Sequence, residues 1–147
     1  METVKTYDDV QGSEVAMDSR IANLADTYEK HKGEPDAPHR HDFYTVLLVE
    51  KAEGEHRIDF TSYPFGEKQV FFIAPGQVHQ VIDVQPPKGF AILFSRSFLA
   101  KNNISEHFIQ DLNLFHDFGF SPPIELSHKS MRKICSYASD MLELQEV

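Results

Sequence analysis

PHRHDFYTVLLV (residues 38–49) and VFFIAPGQVHQV (residues 70–81) decide how this chain folds. Pro38 biases Ala37 to an extended conformation, so the chain enters His39-Arg40-His41 as a strand. Side chains two apart on a strand share a face, which puts His39 and His41 on one side. The turn at Pro75-Gly76 can then return His79 beside them. Between these points, Phe43 to Glu50 is a nearly continuous apolar run, the pattern of a strand covered on both faces.

The same punctuation extends outward. Gly54 ends the first run, and His56 to Thr61 alternates apolar Ile58 and Phe60 with polar Arg57 and Asp59, a half-buried strand after a hairpin. Pro64-Phe65-Gly66 turns the chain, Gln69 to Ala74 forms the next strand, and His79 to Val84 follows the Pro75-Gly76 turn. Gln85-Pro86-Pro87-Lys88-Gly89 leads into Phe90 to Ser95. Turn signals every eight to twelve residues, with no helical period between, predict an antiparallel sandwich or barrel. Upstream, residues 1–19 read as a polar lead, mobile or loosely attached, and Arg20 to Tyr28 suits a short helix or an irregular strand, the strand being favoured by the strands around it.

After Ser95 the period changes to a helical one. Ser97 is expected to cap a short helix that Asn102-Asn103 breaks, and Ser105 a second carrying Phe108, Ile109, Leu112 and Phe115. Ser127 caps a last helix, in which Met131, Ile134, Ala138, Met141 and Leu142 recur at three- and four-residue steps. That spacing predicts a two-fold dimer interface on Met131, Ile134, Ala138, Met141 and Leu142, with packing on the chain's own barrel as the alternative. The pattern is still running at Val147, as in a shortened chain or a helix that continues.

The chain of 147 residues is 41% hydrophobic, a globular composition. It has 14 Lys and Arg against 23 Asp and Glu, net charge −9, with no basic cluster of the kind that grips phosphate backbones. No segment has the length and apolarity of a signal peptide or membrane span, so the expected compartment is the cytoplasm, without membrane contact. The single cysteine, Cys135, fits a reducing compartment and a buried structural thiol. The phenylalanines at 71, 72, 90 and 94 read as core rather than a platform for bases.

The arrangement resembles the cupin fold. PHRHDFYTVLLV, RIDFTSYPF, VFFIAPGQVHQV and FAILFS are similar to the N-terminal sensor domain of the AraC family of bacterial transcription factors. The resemblance implies a mainly β, cupin-like antiparallel barrel (jelly roll) over residues 20–96, followed by a helical dimerisation segment over 97–147. It also implies an unidentified small-molecule effector, a homodimer, and promoter DNA contacted only through a helix-turn-helix domain that this chain lacks.

The expected ligand-contacting set is His39, His41, Thr45, Phe60 and His79, with the alternative that the three histidines only cap the barrel mouth and bond to neighbouring carbonyls or water. Metal-binding cupins carry a glutamate four or five residues after the second histidine, where this chain has Thr45 and Val46. No metal or other cofactor is therefore expected, and any metal would fall to His39, His41 and His79. No nucleophile elbow, phosphate loop or catalytic triad is visible, so no catalytic residue is assigned. The competing function is a small metal-dependent cupin enzyme, an isomerase or dioxygenase. Arg40, Asp42 and Tyr44 are read on the outward face, solvated or at an interface.

Overall fold

The computed structural model describes residues 5–7, 18–32, 38–116 and 120–145, without the side chains of 5–7 and 39–41. Along these residues run β1 (Lys5–Tyr7), β2 (Ser19–Asn23), α1 (Leu24–Lys30), β3 (His39–His41), β4 (Tyr44–Lys51) and β5 (Gly54–Ile58). There follow β6 (Thr61–Phe65), β7 (Gln69–Ile73), β8 (Val78–Asp83), β9 (Lys88–Phe94), α2 (Arg96–Lys101), α3 (Glu106–Asp111), β10 (Ile124–Glu125) and α4 (His128–Gln145). The strands form two five-stranded sheets, in the orders β1-β3-β8-β5-β6 and β10-β7-β4-β9-β2. Among the described residues every pairing is antiparallel except β1 on β3, which is parallel. The mainly β, cupin-like fold with helices after it is the one expected.

The sheets face each other across a core of Leu47, Val49, Ile58, Tyr63, Phe65, Phe71 and Ile73. Each fully buried side chain of this size stabilises by about 1.5–3 kcal/mol. Strand alternation sends the other face of β4 outward, where Leu48 joins Ile21 and Val70 under Met131, Cys135 and Ala138 of α4. A third cluster, Tyr44 with Leu99 and Ile109, roots α2 and α3 at the end of the same outer face. Gly89 is obligatory here. At φ 149° it lies so close to β4 that a Cβ would sit 1.9 Å from the Leu48 carbonyl oxygen.

Several local expectations are corrected. Arg20 to Tyr28 is strand only to Asn23, because the Asn23 side chain accepts from the backbone N–H of Ala25 (2.9 Å) and Asp26, starting α1. The strand expected over His56 to Thr61 is interrupted by a two-residue turn at Asp59-Phe60, both at positive φ (47° and 70°). Pro64 therefore lies inside β6, a position open to proline because β6 is an edge strand. The cap of α2 is Ser95, whose hydroxyl accepts from Phe98 N–H at 3.1 Å, and not Ser97. Lys5–Tyr7, read as mobile lead, forms β1.

Tyr44 is also not solvated. It points away from the sheet interface as expected, but α2, α3 and the chain beyond cover it to 5% exposure. Its ring stacks on Phe94 (5.2 Å) and meets Phe115 edge-on (4.9 Å), while its hydroxyl donates to Glu106. Asp42 on this side pairs with Arg96 at 3.1 Å.

Candidate functional site

His79 enters the interior from β8. Its backbone pairs with His39 of β3 on one side and Ile58 of β5 on the other. His56, two residues before Ile58, shares Ile58's inward face and is fully buried. The rings meet with His56 Nε2 3.1 Å from His79 Nδ1, one donating and the other accepting. Phe71 of the facing sheet lies edge-on to His56 at 4.6 Å, and Phe65 at 5.8 Å. An imidazole pair from two neighbouring strands of one sheet thus lies against Phe65 of that sheet and Phe71 of the other.

Thr45 projects from β4 on the face of Leu47 and Val49, opposite this sheet. It is 2% exposed, and its hydroxyl has no hydrogen-bond partner among the described residues. A buried hydroxyl left so costs about 1–3 kcal/mol. Beside the pair runs a second polar system. Gln77 accepts from Ala74 N–H (2.8 Å) and donates to Asp59 (2.7 Å) and to the Ser121 hydroxyl (3.1 Å). Ser121 N–H in turn donates to the Tyr63 hydroxyl at 2.7 Å, and Tyr63 is the register partner of His56. The turn before His79 is thereby tied to the segment that leads into α4.

Of the expected ligand set, Thr45 and His79 enter the interior. The backbone puts His39 opposite His79, while the side chains of His39 and His41 lie outside the description. Phe60 goes elsewhere: on the β5–β6 turn it is 93% exposed and does not line the interior. His56, Gln77 and Ser121 were not singled out in the sequence. His56 was legible, since it occupies the apolar phase of the His56–Ile58 alternation. The Gln77–Ser121 contact, 44 residues apart, has no local signal. Among the described residues no group of three His, Cys, Asp or Glu converges as a metal site.

The expected dimer face divides. Met131, Ala138 and Leu142 pack on the chain's own β2, β4 and β9 with Cys135, correcting their assignment to a partner. They follow the apolar outer face of a sheet that must itself be covered. Ile134 and Met141 stay exposed, and Tyr137 and Leu144 join them. Cys135 is buried, and burial pushes its thiol pKa up, with Glu50 adding to the shift.

Two facing antiparallel sheets, a polar cluster inside one end and helices on one outer face define a cupin-like binding domain. A family described as the AraC-like ligand binding domain matches residues 27–131, more than half of the sequence, and this chain belongs to it. That family comprises ligand-sensing domains of transcriptional regulators. No curated protein sequence matches the chain. Among the described residues no helix is long and apolar enough to cross a membrane.

Proposed function

We infer that this chain is the non-enzymatic sensor of a transcriptional regulator, that a small organic effector binds between its sheets, and that it acts as a homodimer. Thr45 carries the effector reading: a hydroxyl buried without a partner among the described residues, inside an apolar interior that also holds His56 and His79. A few fixed polar groups within apolar walls are the usual make-up of a small-molecule site. The Gln77–Ser121 bond offers a route by which changes near His79 reach α4 and a DNA-binding unit beyond it.

The test is a thermal-shift screen of sugars, hydroxy acids, amines and phenols. At least one class is expected to raise the melting temperature saturably. Thr45→Val, close to isosteric, should weaken that ligand by about tenfold, the worth of one hydrogen bond, while leaving the fold intact. A ligand that binds Thr45→Val unchanged would remove the interior site.

A further inference from the structure

Sharing no residue with the imidazole pair, a cleft of ≈ 170 Å³ opens where α4 begins, lined by Glu50, Lys51, Glu67, Lys68, Lys88, His128, Met131 and Arg132. We propose that this cleft binds a small phosphorylated molecule, independently of any effector between the sheets. In a chain of net charge −9, four Lys and Arg side chains meet here against two carboxylates. Two positive charges are left in excess before His128 is counted, matching a phosphate dianion.

The cations come from separate parts of the fold and converge. Lys51 ends β4, Lys68 precedes β7, Lys88 opens β9, and Arg132 lies one turn into α4. The main chain at Lys68 is held on both sides, its N–H donating to the Glu50 carbonyl (3.3 Å) and its carbonyl accepting from Leu126 N–H (2.8 Å). Among the described residues the only ion pair these groups make is Lys88 with Glu50, at 3.7 Å. Lys51, Lys68 and Arg132 have no carboxylate within ion-pair distance there. The first turn of α4 adds no acid and carries His128 and Lys129 at its electropositive end. Like charges gathered at that end repel one another, and a bound phosphate relieves the repulsion while accepting from Arg132 and the lysines. The buried Met131 closes the floor.

The experiment is calorimetric titration of the whole chain with inorganic pyrophosphate and phosphate at fixed ionic strength. Saturable binding is expected, at least tenfold weaker in Arg132→Gln and in Lys68→Asn, asparagine being the milder choice at the left-handed Lys68 (φ 58°). Lys101→Gln, which removes a cation paired with Asp18 elsewhere, should bind as the parent does. Circular dichroism checks that each variant folds. No saturable heat up to millimolar pyrophosphate would overturn the proposal. So would equal weakening in Lys101→Gln, which would mark a general charge effect, or binding of an oligoglutamate peptide with pyrophosphate inert, which would mark a protein-docking surface.

Discussion

Asp83 is an acid held where acids are costly. On β8 it has the inward parity of His79 and Val81, and one carboxyl oxygen is buried without a hydrogen-bond partner among the described residues. Desolvation by burial pushes its pKa up to about 6. The sign follows from proton counts: between about pH 4 and 6 the folded chain holds a proton that the unfolded chain has released, so stability falls as pH rises through that window. Asp83→Asn should therefore stabilise the protein at pH 7, by about 1 kcal/mol once the half-exposed carboxyl is discounted for solvent screening. At pH 3.5 it should bring no gain. Urea denaturation at the two pH values measures both, and equal effects at both would show that the carboxylate charge is not the cause.

α4 is a helix with two seams. Met131, Cys135, Ala138, Leu142 and Gln145 follow one another at steps of four and three, and all turn toward the chain's own sheet. Gln145 completes the seam with a paired amide contact: its Oε1 accepts from Ile21 N–H and its Nε2 donates to Ile21 carbonyl, both at 2.8 Å. β2 is an edge strand, so this side chain occupies hydrogen-bonding groups that would otherwise be open to another strand. Gln145→Ala should lower stability by about 1–2 kcal/mol, the net worth of two such bonds. Hydrogen exchange at Ile21 should rise in step with the lost stability, and an unchanged Ile21 rate would place the clamp elsewhere.

At the scale of the whole molecule, the second seam of α4 matters most. Ile134, Tyr137, Met141 and Leu144, at steps of three, four and three, are 36%, 59%, 48% and 74% exposed. They lie roughly 100° around the helix from the buried seam, at the spacing that paired helices use. The homodimer we propose forms here. Ile134→Glu with Met141→Glu should raise its dissociation constant by about 100-fold in sedimentation, on the order of 2–3 kcal/mol, without unfolding the chain. Met131→Glu is the contrast, since it puts a charge into the chain's own core and should unfold it. A parent chain that stays monomeric at high micromolar concentration would end the dimer proposal. The isolated chain, at net charge −9, is not expected to shift duplex DNA in a gel.

The sequence by itself determined the class of fold and most of its elements. The apolar runs of β4, β7 and β9, the alternation from His56 to Ile58, and the serine caps at 105 and 127 are written in neighbouring residues, because strand and helix periods are local properties. It also carried the inward parity of His56 and the apolar face of α4. Tertiary structure alone decided where those features point. Asp59 bears no Asn-Gly signal, yet it turns the chain because its carboxylate accepts from Val78 N–H (3.0 Å) and Gln77, groups on the connection between β7 and β8. The apolar residues of α4 were one set in the sequence, and a sheet it could not display divided them into covered and exposed seams. Period depends on adjacent residues, whereas burial depends on whatever arrives from far along the chain.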